Sequence, residues 1–145
     1  MLDRAWIAAR IPHQGNMCLL DAIVEWSPDR IRCTASSHRL ADNPLRDAGR
    51  LGAACGIEYA AQAMAVHGAL LADQQGAPRQ GFLASARSVE LLADRLDDVA
   101  GELDIVAERL SGDTNNVLYG FTVSGDGRQL LSGRAAVILD AEAIK

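Results

Sequence analysis

The stretch from Gly49 to Ala72, GRLGAACGIEYAAQAMAVHGALLA, constrains this chain more than any other, because between Arg50 and Asp73 its only formal charge is Glu58. A run of Ala, Leu, Met, Val, Ile and Gly at this length predicts a buried helix, capped by Asp47 and ending near Gly68 to Asp73. On a 3.6-residue wheel Glu58 shares its face with Leu51, Ala54, Ala61 and Ala65, with Gln62 slightly to one side. The carboxylate then projects from a stripe of small apolar residues. A lone buried acid is costly unless it is partnered or protonated, so its presence asks for a reason. A structural hydrogen bond and acid–base chemistry both supply one, and the residues alone leave the two open.

Ahead of this helix, Leu2 to Ala9 reads as a short amphipathic helix ended by Pro12, and Met17 to Ser27 as an apolar strand. Ser27-Pro-Asp-Arg30 is a turn, Ile31 to Ser37 the returning strand, and His38 to Arg46 a polar loop. Beyond it, residues 74–78 read as a loop. Four extended segments follow: Gly81 to Leu91, Leu103 to Leu110, Asn116 to Val123 and Gln129 to Leu139, the last two flanking the hairpin signal Ser-Gly-Asp-Gly at 124–127. Strands, one long apolar helix and an antiparallel meander predict an α+β domain spanning 1–145, its sheet wrapped on the helix.

The chain has 145 residues, 49% of them hydrophobic, and a formal charge of -5 with no Lys/Arg run, which excludes a nucleic-acid surface. Cys18, Cys33 and Cys55 are far apart, form no CxxC pair and have no His at metal-ligand spacing, so reduced buried thiols and no metal are expected. With no signal-peptide pattern at the N-terminus, this predicts a cytoplasmic protein. No membrane span is expected either, since Glu58, Gln62 and His67 interrupt the apolar run.

Three segments carry a resemblance. IPHQGNMCLLD (Ile11 to Asp21) resembles the LPHRYPFLLVD-type segment of the 3-hydroxyacyl-ACP dehydratases of fatty-acid synthesis, and GIEYAAQAMAVHG (Gly56 to Gly68) resembles the start of their central helix. GFLASARSVEL (from Gly81) sits where that family has a YFAGIDEARF-like strand. The ordered set looks most like the dehydratase-like proteins of aryl polyene clusters. The resemblance implies a hotdog fold, with an antiparallel sheet around one central helix, and dehydration of 3-hydroxyacyl-ACP to trans-2-enoyl-ACP in polyene or fatty-acid-like synthesis. It implies no cofactor beyond the phosphopantetheine of the acyl carrier protein that holds the substrate. Hotdog acyl thioesterase and non-catalytic dehydratase partner are the alternatives.

Carried over position by position, the resemblance assigns Glu58 to the family's acid. The family's GHFP histidine has no counterpart, because Pro44 stands at the corresponding place. Either His13 or His38 replaces that base, or a partner subunit supplies it, in a homodimer or a heterodimer with a second hotdog dehydratase. His13, beside the flexible Gly15, ranks ahead of His38, which reads as solvated, and His67 reads as a helix C-terminal residue favoured by the dipole. Burial is expected to raise the pKa of Glu58 so that it serves as the acid, with a neutral imidazole as base. Gly15, Gly49 and Gly52 are expected to admit the substrate, Gln62 to bind it or orient the carboxylate, and amides around Ala48 to Leu51 to stabilise the thioester oxygen. Arg46, Arg50, Arg79 and Arg87 are candidates for docking the acidic carrier.

Overall fold

In the computed structural model, residues 2–11, 13, 15–75, 82–112 and 116–138 are described. The sheet is antiparallel throughout, in the order β1 (Leu2–Asp3), β2 (Ala22–Ser27), β3 (Arg30–Ala35), β5 (Leu103–Gly112), β6 (Asn116–Gly125), β7 (Arg128–Ile138), β4 (Phe82–Leu91). One face is covered by the long helix α2 (Gly56–Gln75). The alternation in the sequence decides which side chains meet it. In β3, Ile31, Cys33 and Ala35 point inward, in β5 Leu103, Ile105 and Ala107, and in β6 Val117, Tyr119, Phe121 and Val123. Tyr59, Ala60, Ala63, Met64, Val66 and Leu70 of α2 complete the core. Each fully buried Leu, Ile or Val in this layer stabilises the fold by roughly 1.5–3 kcal/mol. Small residues let helix and sheet approach closely: a Cβ on Gly56 would lie 2.5 Å from a methyl of Leu131 on β7. This is the hotdog arrangement, with the strands of the second half where the sequence predicts them and the hairpin at Asp126 and Gly127, both at positive φ.

The first half departs from the expectation in two places. Leu2 and Asp3 pair with Ile23 and Ala22 as an edge strand, and α1 (Arg4–Ala8) starts only after Asp3, whose carboxylate caps it by accepting from Trp6 N at 3.0 Å. The expected strand from Met17 begins at Ala22 instead. Gly15–Met17 forms a 3-10 turn, and residues 18–21 run on to the strand held by contacts described below.

The long helix starts at Gly56, after a 3-10 turn over Ala53–Cys55, and Asp47 does not cap it. Ala48 and Gly49 both adopt positive φ, 53° and 74°, which closes a tight turn with reciprocal Asp47–Arg50 backbone hydrogen bonds and is incompatible with a right-handed helix. The next amides are taken by the connection between β4 and β5. Leu51 N donates to Asp97 Oδ1 at 3.1 Å, Ala53 N to Asp94 O at 3.1 Å, and Leu96 N to Leu51 O at 2.8 Å. The guanidinium of Arg95 on the same carboxylate holds Asp97 well below the usual carboxylate range. Residues 50–53 are thus paired across the molecule before the helix begins. Of the loop expected at 74–78, Gln74 and Gln75 belong to α2, and residues 76–78, like Arg79, lie outside the described residues.

Candidate active site

Glu58 falls in the first turn of α2, where the helix dipole favours an anion. Its side chain is 32% exposed and meets His13, itself 24% exposed, at 3.0 Å between Oε1 and Nε2. Both groups belong to one chain. With Glu58 ionised, Nε2–H donates to the carboxylate, and a neutral His13 then carries its lone pair on Nδ1, which is buried and has no hydrogen-bond partner among the described residues. The carboxylate is half-buried rather than buried, so the desolvation expected of it from the sequence is only partial.

His13 sits on the connection between α1 and β2, and this connection is fixed from several sides. Gly15, at φ +59°, turns the chain in a conformation that suits glycine. Its carbonyl accepts from Arg4 Nη2 at 2.9 Å, and Asn16 Nδ2 donates to Asp42 O at 3.0 Å. Gln62, one helical turn beyond Glu58 and fully buried, donates through Nε2 to Met17 O at 2.7 Å and accepts from Leu19 N at 2.9 Å through Oε1. The same Nε2 reaches Glu58 Oε1 at 3.4 Å. Leu19 O accepts from Ser37 Oγ at 2.8 Å, and Ser37 in turn contacts Tyr59 OH, the residue after Glu58, at 2.8 Å. The loop bearing the imidazole and the helix bearing the carboxylate are therefore tied together through buried polar side chains.

A half-exposed imidazole–carboxylate pair at the start of a central hotdog helix is suited to moving a proton on a substrate carbon. Residues 5–144 match the family profile of the ApeP-like proteins, described as ApeP dehydratase. The chain belongs to the ApeP-like dehydratase family. Among solved structures, this ApeP-like chain is similar to the ApeI:P dehydratase heterocomplex of Xenorhabdus doucetiae, with a TM-score of 0.83 at 22% identity, over 94% of this chain and 92% of that one. It is also similar to a mutant thioesterase of Pseudomonas aeruginosa, with a TM-score of 0.60 at 13% identity over 82% and 79% of the two chains. A hypothetical thioesterase of Streptococcus pneumoniae, crystallised with coenzyme A, gives 0.60 at 14% identity over 81% and 84%. At these identities the likeness carries the fold, and the family carries dehydration. No curated protein sequence matches the chain. No helix among the described residues is long and apolar enough to cross a membrane.

Several ApeP-like site residues lie elsewhere than the sequence suggests. Gly49 belongs to the 47–50 turn and Gly52 bridges to Arg95, both ahead of the helix rather than within it, with open space where a Cβ would sit at either. Of the amides from Ala48 to Leu51 expected to receive the thioester oxygen, two are already bonded: Arg50 N to Asp47 O and Leu51 N to Asp97. Gln62 spends both ends of its amide on backbone and on Glu58, which leaves it a clamp rather than a substrate contact. Arg46 is largely buried and donates to the carbonyls of Leu40, Gly49 and His38, which takes it out of the expected docking patch, whereas Arg50 donates to the carbonyl of Asp94 and stays exposed.

The other two histidines are interior. His38 is fully buried rather than solvated, with Nε2 donating to Val99 O at 3.0 Å. His67 lies under the sheet in the body of α2, not at its C-terminus. Its Nε2 donates to Ser27 O at 2.7 Å, so its Nδ1 accepts from Tyr119 OH at 2.7 Å. Burial lowers the pKa of both imidazoles, outweighing their backbone hydrogen bonds. A folded-state pKa below the ordinary value of about 6.5 means that the stability tied to the neutral form is present above that pH and is lost as pH falls below it. The melting temperature is therefore expected to decline between pH 7 and 5, and the decline to shrink in His67→Gln. Asp97 acts in a separate window, since its contribution is lost only as pH falls below about 4. A flat melting temperature from pH 7 to 5 would contradict the assignment.

Proposed function

We propose that this chain dehydrates 3-hydroxyacyl thioesters carried on an acyl carrier protein, giving trans-2-enoyl thioesters in aryl polyene or fatty-acid-like synthesis. The observation that carries this reading is the 3.0 Å contact between His13 and Glu58 within one chain. His13 is the base for the C2 proton through Nδ1, the ring nitrogen not engaged with Glu58, and substrate binding has to uncover that buried atom. As that proton leaves, its electron pair forms the C2=C3 double bond and the C3–O bond breaks. Glu58 offsets the imidazolium and relays the proton to the departing hydroxyl, which leaves as water. The pair ends with the number of protons it began with, the imidazole now protonated on Nδ1, and exchange with water returns that proton to Nε2 before the next turnover. No metal or redox group takes part in this sequence of steps. On this reading the acid role of Glu58 comes from contact with His13 rather than from burial.

A second hotdog dehydratase is the proposed partner, by likeness to the Xenorhabdus heterocomplex. The surface suited to it is β4, an edge strand of the described sheet with Leu83 and Leu91 exposed. For the acidic carrier, Arg50 and Arg87 stay exposed among the described residues of the expected patch, Arg87 lying on β4 directly cross-strand from exposed Arg134 on β7. Two like charges held opposite each other repel unless an anion lies over them. The three free cysteines suit a reducing compartment, and the cytoplasm is the proposed location.

Mass spectrometry of a 3-hydroxyacyl-carrier protein incubated with this chain, alone and with a neighbouring hotdog protein, tests the reaction. Loss of one water is expected. Release of free acid would point to thioester hydrolysis instead, and an unchanged substrate in both mixtures to a scaffold.

A further inference from the structure

The His13–Glu58 contact joins a loop to a helix, and nothing in either segment by itself sets the distance between them. Gln62 spans both. From one fully buried amide it accepts the Leu19 N–H at 2.9 Å, donates to Met17 O at 2.7 Å and reaches Glu58 Oε1 at 3.4 Å, all within the segment that leads from His13 into β2 and the first turns of α2. An amide is the side chain suited to this task, because it combines an acceptor for an N–H with a donor having two hydrogens, one for a carbonyl and one for a carboxylate. Neither a carboxylate nor an apolar side chain of the same length fills all three roles. The Met17 carbonyl and Leu19 amide have no role in a helix or strand ladder at this point, so the side chain stands in for secondary structure.

We propose that Gln62 is a positioning residue for the dehydration, locking the His13 loop to the helix so that His13 and Glu58 stay in proton-transfer contact. This rests on the reading of His13 and Glu58 as the reacting pair. Misplacing such a pair by about 1 Å costs on the order of a hundredfold in rate, and a loosened loop samples the correct geometry for only part of the time. The loss therefore appears in kcat, with KM little changed, because Gln62 is fully buried behind the pair.

A double-mutant cycle on the full-length protein tests this. Gln62→Met is expected to lower kcat about tenfold in the native background but less than about twofold when His13 is already alanine, because there is no longer a pair to position. Gln62→Glu serves as the second variant, and replaces the first in the cycle if Gln62→Met does not fold. Its carboxylate keeps the bond to Leu19 N but donates to Met17 only when protonated, so its kcat relative to the native enzyme is expected to rise as pH falls. A purely structural role would lower kcat by the same factor in both backgrounds and give Gln62→Glu no such pH signature. Either result, or an unchanged kcat, overturns the proposal. Should His13→Ala itself leave kcat intact, the assignment of the reacting pair fails; an impaired His13→Ala beside an unimpaired Gln62→Met sinks the positioning role alone.

Discussion

Replacing His13 by alanine is expected to lower kcat on a carrier-bound 3-hydroxyacyl substrate by about two to four orders of magnitude, the usual contribution of a positioned general base. The expectation rests on geometry. Of the three histidines, His38 and His67 are fully buried and bonded to Val99 in one case and to Ser27 and Tyr119 in the other. Only His13 combines partial exposure with contact to a carboxylate. The fold should tolerate the change. Glu58 is about a third exposed and keeps the Gln62 contact at 3.4 Å, so no buried charge is stranded. An exposed ion pair of this kind contributes about 1 kcal/mol or less to stability. A near-native melting temperature with collapsed turnover is the signature to look for in paired kinetic and thermal measurements. A rate that stays intact would move the base to a partner subunit.

Glu58→Gln is expected to have an effect of similar size for a different reason. The amide keeps the shape and still accepts a hydrogen bond from His13 Nε2, so the loop and helix remain in register. What disappears is the negative charge that offsets the imidazolium and the group that carries the proton to the leaving hydroxyl. Turnover should fall about a hundredfold or more while binding of the acyl carrier substrate persists. The stability cost is confined to the interaction of the carboxylate with the helix dipole, about 1 kcal/mol or less. Single-turnover rates with a binding measurement on the same variant separate the two effects. Full activity in Glu58→Gln would remove the carboxylate from the mechanism.

Features that depend on local pattern were legible in the sequence. The alternation of Val117, Tyr119, Phe121 and Val123 marks both a strand and its buried face, and Ser-Gly-Asp-Gly marks the hairpin that follows. The long apolar run around Glu58 marks α2, and the Pro-His-Gln-Gly segment marks the loop that faces it. Features set by residues distant in the chain were not. The start of α2 is decided by Asp94 and Asp97, which lie far along the chain and take up the amides of Ala53 and Leu51, and nothing in Asp-Ala-Gly-Arg announces them. Locally, the Ala-Gly pair at 48 and 49 was the available warning, since a glycine after a small residue suits a tight turn as well as a helix end. His67 reads as a helix-end residue until Tyr119 is considered. A tyrosine on the inward face of a strand needs a partner for its hydroxyl, and that requirement pointed to an interior polar group. Gln62 carried a similar signal at four positions from Glu58, but its principal partners, Met17 and Leu19, are backbone groups that no side-chain pattern reveals.

In the proposed site one chain holds both halves of the proton-transfer pair. Mixing the His13→Ala and Glu58→Gln proteins, after unfolding and refolding them together so that subunits exchange, tests it directly. If base and acid come from the same chain, every site in the mixture lacks one of them, and activity stays at the level of the single variants. If the site were composite across two copies, a mixed dimer would contain one site with both groups intact, and random pairing would restore about a quarter of the native activity. No recovery is expected; recovery toward that level would place the base and the acid of each site on different copies.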